Sequence, residues 1–255
     1  SPHTYEPSPR QMVAISKARI YFAVGVAFEN AWLHKITAAS PNMRVVHTDH
    51  GIDKIPMMGH RHPEDNHQHH EDTTTPHIES EDHRTQENHH DEHGGLDPHI
   101  WLSPPLVKLQ ARTIRNALQK IDPAHRSVYV TNYQRFVSSI DELDTELTSV
   151  FAGKQGLQFM VFHPAWGYFA LAYGLEQVPV EVEGKDPKPA QLKALIDQAK
   201  KAGIQVIFVQ PQFSTKSAAL IAREIGGQVV FADPLAQDWS ANLREVADKF
   251  KAALR

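Results

Sequence analysis

Four side chains that can bind a transition metal each have a proline as a direct neighbour, and proline restrains the backbone. His163 and Asp233 directly follow predicted strands, His99 lies in a predicted turn before a helix, and His3 lies close to the start of the chain. Three imidazoles and one carboxylate suit zinc at tetrahedral geometry, whereas manganese prefers more oxygen ligands. By affinity order alone copper and nickel would also bind. The pattern therefore predicts a four-ligand site for a borderline cation.

Most of the other histidines lie in one polar tract at residues 59–95. The tract has ten acids against two bases, a formal charge of −8, which leaves +4 for the rest of the chain. It cannot bury enough apolar surface to order itself, so we expect a mobile loop. We expect it to capture metal weakly, because nothing preorganises its imidazoles; a solubilising loop without a metal role is the alternative. The tract histidines are His60, His62, His67, His69, His70, His77, His83, His89, His90 and His93.

The composition excludes several classes of protein. The chain has 255 residues with no cysteine, which excludes disulfide scaffolds, thiolate metal sites and cysteine nucleophiles. Its formal charge of −4 disfavours nucleic acid as a partner. No apolar run reaches the roughly 18 residues that a transmembrane helix needs, so we expect no transmembrane segment.

Outside the tract, short apolar strands alternate with amphipathic helices of about 10–15 residues. That alternation predicts an α/β fold with mostly parallel sheets flanked by helices. An apolar stripe from Tyr129 to Val150 predicts one helix of roughly 40 Å, long enough to bridge two lobes. We therefore expect an N-terminal lobe at 1–122, a linker helix at 123–152 and a C-terminal lobe at 153–255.

Two other groups of residues could do chemistry but have ordinary explanations. Glu181 and Glu183 alternate with valines on a predicted strand, which favours a solvated strand face over a general acid/base pair. The aromatic residues near the predicted ligands are interpreted as core and cleft lining: Trp101, Trp166, Tyr168 and Trp239.

The segments around the four candidate ligands resemble the signature segments of the metal-specific solute-binding proteins of bacterial ABC importers. They read SPHTYEP at 1–7, DPHIWLSP at 97–104, VFHPAWGY at 161–168 and DPL at 233–235. They occur in the family's order and span essentially the whole chain. The similarity is closest to the zinc-binding branch, which often carries a His- and acid-rich loop between its first and second ligands.

The resemblance implies two α/β lobes joined by a rigid linker helix, with the metal held in the cleft between them. It implies that His3, His99, His163 and Asp233 are the first to fourth ligands. Manganese members of the family usually have Glu at the third position, so His163 points to zinc. The implied function is non-enzymatic: an extracytoplasmic or periplasmic protein that captures Zn²⁺ and delivers it to a membrane permease.

The chain departs from the family pattern at its start. The family normally has a strand and a helix before the first ligand segment, preceded by a secretion signal or a lipid-anchor cysteine, whereas this sequence begins two residues before His3. We therefore expect no signal peptide in this chain and one strand fewer in the first sheet. Two other functions stay open: a zinc-dependent hydrolase with an open metal position, and a surface adhesin or metal-storage protein.

Overall fold

The computed structural model describes residues 5–57, 95–181 and 185–254. Within these ranges, helices alternate with strands, and all the strand pairs of the two sheets are parallel. The strands are β1 (Ile20–Ala23), β2 (Arg44–His47), β3 (Gln158–Val161), β4 (Glu176–Pro179), β5 (Val206–Val209) and β6 (Gln228–Phe231). The helices are α1 (Pro9–Ile15), α2 (Ala27–Ala39), α3 (Pro104–Ile121), α4 (Arg126–Val150), α5 (Gly167–Tyr173), α6 (Pro189–Lys201), α7 (Lys216–Glu224) and α8 (Trp239–Ala253).

The first lobe is built on the parallel pair β1 and β2, in register from Ile20 opposite Arg44 to Ala23 opposite His47. The chain crosses between the two strands through α2, as expected for a βαβ unit. The side chain of Thr48, just after β2, donates to the Ala23 carbonyl at 2.8 Å and fixes the carboxyl ends of both strands.

The second lobe holds a four-stranded sheet in the order β4-β3-β5-β6. The central strand β5 is buried along its whole length, which explains its continuous apolar sequence. Successive side chains of β3 enter different cores: Phe159 packs in one apolar cluster with α8, and Met160 packs in another with α6 and α7. The sheet is therefore covered by helices on both faces.

The long helix α4 packs against α3 and against α8, and so connects the two lobes. Its 25 residues correspond to roughly 37 Å, close to the predicted length. Ile140, Leu143 and Leu147 are its buried stripe. No helix in the described ranges is long and apolar enough to cross a membrane.

Tyr168, at the start of α5, ties together two segments from the first half of the chain. Its hydroxyl donates to the Asp97 carbonyl at 2.8 Å and accepts from the Ile55 amide at 3.1 Å. Burial, with the Asp97 carboxylate adding to it, raises the pKa of Tyr168 to about 12. Since the pKa in the unfolded chain is about 10, the neutral phenol stabilises the fold fully below pH 10, and this contribution is lost as the pH rises towards 12.

We predict that Tyr168→Phe lowers the free energy of unfolding by about 1–2 kcal/mol at pH 7, because the Asp97 carbonyl and the Ile55 amide lose their partner. Between pH 10 and 12 the variant should lose less stability than the wild type. Urea unfolding across this pH range measures both effects. Tyr133→Phe, which keeps the ring under the Arg115 guanidinium, is the control; equal pH dependence in both variants would contradict the assignment.

Candidate metal centre

His163 is fixed through both its backbone and its ring. The Gln210 side chain accepts from the His163 amide at 3.2 Å and donates to the His163 carbonyl at 2.6 Å. Phe213 stacks on the imidazole, with ring centroids 4.9 Å apart and an interplanar angle of 16°. Gln210 directly follows β5 and Phe213 lies in the same loop, while His163 follows the neighbouring strand β3. The carboxyl edge of the sheet therefore sets the position of this ring.

His99 is held by a turn that Asp97 organises. One Asp97 carboxylate oxygen accepts from the His99 amide at 2.9 Å and lies 2.7 Å from the His99 Nδ1 atom. A short 3₁₀ turn at Ile100–Leu102 follows and leads into α3. The imidazole is 5% exposed, and Asp97 is 1% exposed.

His163 has the same kind of carboxylate partner. Its Nδ1 atom lies 2.7 Å from a Glu181 carboxylate oxygen, and both residues are buried. A carboxylate facing Nδ1 favours the tautomer that carries its proton there, which leaves Nε2 as a lone-pair donor. Asp97 and Glu181 therefore orient both imidazoles to act through their Nε2 atoms.

The two Nε2 atoms face each other at 3.4 Å. With each ring protonated at Nδ1, both Nε2 lone pairs are available to one metal ion between them. In a tetrahedral site with zinc–nitrogen bonds of about 2.05 Å, two imidazole nitrogens lie roughly 3.3–3.4 Å apart. The spacing of His99 and His163 therefore fits a common zinc ion.

The imidazole pair lies in a cavity of about 480 Å³ between the two lobes. Both lobes contribute to its walls, and most of the lining side chains are apolar. The lining residues are Tyr5, Val26, Ala27, Phe28, Pro98, His99, Trp101, His163, Gln212, Phe213, Pro234 and Leu235.

Residues 26–28, here called the cleft wall, line the cavity from the first lobe, and Glu29 holds the backbone there. This buried carboxylate accepts from the amides of Val24, Gly25 and Val26 at 2.7–3.1 Å, at the N-terminus of α2. The Tyr21 hydroxyl donates to it as well, and burial together with the Glu29 charge raises the pKa of Tyr21. Glu29 thus satisfies the amide donors at the helix start and fixes the course of the cleft wall.

The other predicted ligands are not gathered around the imidazole pair in the part of the chain that the structure describes. There, no three His, Asp or Glu side chains form a group that could hold a metal ion. One Asp233 carboxylate oxygen accepts from the Leu235 amide and from the Gln212 side chain, both at 2.9 Å, which is an ordinary turn role for Asp. His3 and the ten tract histidines lie outside the described residues. Their metal-binding roles, and that of Asp233, stay predictions.

One interpretation of the sequence was wrong. Glu181 is not on a solvated strand face. Strand β4 ends at Pro179, and the Glu181 amide donates to the Phe162 carbonyl just after β3, which places its side chain beside His163. The carboxylate reaches His163 and is 5% exposed. Glu183 lies outside the described residues.

Sequence reasoning also missed three residues that shape the site: Asp97, Gln210 and Glu29. Only Asp97 gave a local signal, because an Asp two residues before a His can bond both its amide and its ring. The bonds of Gln210 run to His163, 47 residues away, and depend on the tertiary structure. The bonds of Glu29 depend on where α2 begins. The aromatic residues are as expected, since Trp166 is fully buried and Trp101 lines the cleft.

Two α/β lobes, a long connecting helix and a cleft with paired imidazoles are the architecture of a metal-binding solute-binding protein. A family model described as zinc-uptake complex component A, periplasmic, matches residues 1–253, and the chain belongs to that family. This confirms both the resemblance seen in the sequence and the predicted two-lobe fold. The family's description is that of a component of a zinc-uptake complex.

Solved structures and a curated relative agree with this assignment. A crystal structure of ZnuA is 40% identical, with a TM-score of 0.85 over 100% of this chain and 87% of that chain. A crystal structure of a ZnuA deletion mutant with zinc bound is also 40% identical, with a TM-score of 0.83, and the match covers 100% of this chain and 85% of that chain. The zinc-binding protein AdcA of Streptococcus pyogenes serotype M3 is 27% identical over 238 residues, 92% of this chain but 44% of AdcA. The chain thus spans less than half the length of that relative.

We predict that Glu29→Gln lowers the free energy of unfolding by about 1.5–3 kcal/mol, because three backbone amides lose an anionic acceptor. Urea unfolding at neutral pH measures the change. Glu142→Gln on the exposed side of α4 is the control and should stay within about 0.5 kcal/mol of the wild type. Equal stability of the two variants would show that the Glu29 charge does not fix the cleft wall.

We predict that Glu181→Gln weakens zinc binding by about tenfold, because the amide keeps an acceptor for His163 but loses the negative charge that makes the imidazole a better donor. A competitive titration against a chelator of known affinity measures the change. Glu176→Gln, at an exposed position of β4, should bind zinc like the wild type. Wild-type affinity in Glu181→Gln would refute the orienting role.

Proposed function

We propose that this protein captures Zn²⁺ in the cleft between its lobes and delivers it to the membrane permease of an ABC importer. It would do so on the outer side of the cytoplasmic membrane, in a periplasmic or equivalent extracytoplasmic space. The family description, which names a periplasmic component of a zinc-uptake complex, supports this proposal.

One observation carries the proposal: the Nε2 atoms of His99 and His163 lie 3.4 Å apart, with a buried carboxylate behind each ring. Ordinary core histidines do not need this arrangement, because a single partner would satisfy each ring. The geometry suits zinc better than manganese, since imidazole ligands favour zinc and carboxylate or water ligands favour manganese.

His3 and Asp233 are proposed as the remaining ligands. Tyr5 lines the cleft and packs edge-on against Phe28, with ring centroids 5.6 Å apart. Two residues of chain span at most about 7 Å, so His3 can reach the same cavity from Tyr5. Asp233 lies beside Pro234, which lines the cavity on the side of the second lobe. The histidine tract is proposed as an auxiliary, weak zinc binder.

The proposed mechanism needs no covalent step. The oriented Nε2 atoms replace part of the hydration shell of the ion, and the apolar walls of the cleft exclude water around it, which strengthens the attraction to the nearby carboxylates. Helix α4 packs against both α3 and α8, so it limits the relative motion of the lobes. The metal-bound form then docks on the permease, which receives the ion.

The hydrolase alternative requires a general base close to an open metal position. The two buried carboxylates next to the imidazoles, Asp97 and Glu181, are instead bonded to the ligand rings. The adhesin and storage alternatives have no specific observation in their favour, and storage depends on a tract outside the described residues.

We predict that His163→Ala weakens zinc binding by at least about a hundredfold, because a direct ligand is removed. The effect should exceed that of Glu181→Gln, which removes only the charge behind the ligand. The measurement is a competitive zinc titration of the full chain and of a form with residues 59–95 replaced by a short linker, which separates the cleft from the tract. The wild type should bind one zinc tightly in both forms, with manganese unable to compete.

His34→Ala, at an exposed position of α2, is the matched control and should bind zinc like the wild type. Unchanged affinity of His163→Ala in the linker form would contradict the site. Loss of all tight binding in the wild-type linker form would show that the tract, rather than the cleft, is the main zinc binder.

A further inference from the structure

We propose that Trp101 and Trp239 are positioning residues that lock His99 to the lobe carrying His163, so that the two imidazoles form one rigid unit whether or not metal is bound. The ion would then enter and leave by movement of the cleft wall. This inference rests on the proposed function, because its effect is on zinc binding.

The lock consists of two hydrogen bonds, in each of which an indole N–H of one segment donates to a backbone carbonyl of the other. The Trp101 indole N–H donates to the Pro234 carbonyl at 2.8 Å, and the Trp239 indole N–H donates to the Trp101 carbonyl at 2.7 Å. Trp101 lies two residues after His99. Pro234 and Trp239 lie in the loop after β6 and at the start of α8, in the second lobe.

The packing of residues 97–103, the His99 turn, supports the same assignment. Leu102 is fully buried in the core cluster that contains Val161 and Phe208 of the second sheet. Gly167 of α5 lies so close to the turn that a Cβ atom there would be 2.8 Å from an Asp97 carboxylate oxygen. The turn therefore packs as part of the second lobe, although in sequence it lies between β2 and α3.

The cleft wall is attached differently. The hydrogen bonds described for residues 24–26 run to Glu29, within the first lobe. Strands β1 and β2 and their flanking segments are bonded to α3, which directly follows the His99 turn. The Gln110 side chain donates to Thr48 at 3.1 Å, and Arg19 donates to the Ile121 carbonyl at 3.2 Å. The cleft wall is therefore held by bonds within the first lobe. The His99 turn contacts that lobe through the Asp97 amide, which donates to the Ile55 carbonyl at 2.9 Å, but its indole hydrogen bonds and its core packing are with the second lobe.

This division assigns different tasks to the two sides. The spacing of the Nε2 atoms depends on the lock between the His99 turn and the second lobe. Motion of the cleft wall changes access to the cavity without changing that spacing. Removal of either indole N–H should therefore loosen the pair of ligands while leaving both lobes folded, because neither bond joins residues within one sheet.

The test replaces each tryptophan by phenylalanine, which keeps an aromatic ring and removes the N–H donor. Trp239→Phe is the sharper variant, because Trp101 and its contact with the His99 ring stay in place. We expect each variant to weaken zinc binding by about three- to tenfold, the range that the loss of one hydrogen bond produces, mainly through faster zinc dissociation. The double variant should lose less than the product of the single losses, since both bonds act on one turn.

Amide hydrogen exchange on the metal-free chain gives an independent measurement. The amides of Leu102 and Ser103, which donate to the His99 and Ile100 carbonyls, should exchange faster in both variants. Cobalt substitution adds a spectroscopic signature, because a loosened ligand pair should lower the intense absorption of tetrahedral cobalt. Trp32→Phe, on the surface of α2 with the Lys35 ammonium over its ring, is the matched control and should change none of these.

Zinc affinity and amide exchange equal to those of the Trp32→Phe control, in both Trp101→Phe and Trp239→Phe, would overturn the proposal. Faster exchange with unchanged zinc affinity would also overturn it, because the turn would then be loosened without effect on the ligands. A wild type that binds no zinc would instead contradict the proposed function, and the exchange comparison would still decide whether the lock exists.

Discussion

The site depends on one kind of interaction, the hydrogen bond between a buried carboxylate and the Nδ1 atom of an imidazole. It occurs twice, between Asp97 and His99 and between Glu181 and His163, at 2.7 Å in both cases. A buried carboxylate is costly unless it is paired, so each one must keep its imidazole partner close. The same constraint fixes the ring tautomer and directs both Nε2 atoms to a common point.

The rest of the fold brings these two pairs together. Parallel strands place His163, Gln210 and the loop after β6 at the same edge of the second sheet, because their carboxyl ends lie together. His99 comes from a distant part of the chain and reaches that edge through a turn embedded in the second lobe's core. The first lobe supplies a wall of the cavity, and α4 connects it to the second lobe.

The α/β alternation and the long helix could be predicted from apolar periodicity, which is a local signal. His163 stood out by its position after a strand and His99 by its place in a turn before a helix, and the structure brings the two rings together. Sequence reasoning failed at Glu181, where alternation with valines resembles a strand although β4 has already ended at Pro179. It also could not reveal the roles of Trp101 and Trp239. Their carbonyl partners lie 133 and 138 residues away along the chain, so only the folded chain defines those bonds.

The cleft wall has a consequence for how such a protein can diversify. Residues 26–28 line the cavity with apolar side chains, and their backbone is anchored by Glu29. Under the proposed function, their side chains would set how readily an ion and its water enter the cavity, while the two imidazoles would set the coordination geometry. Changes of side chain in the wall would therefore alter how fast an ion is admitted and leave the choice of ion the same. Exchange rate and metal selectivity would then be separately tunable properties of one cavity.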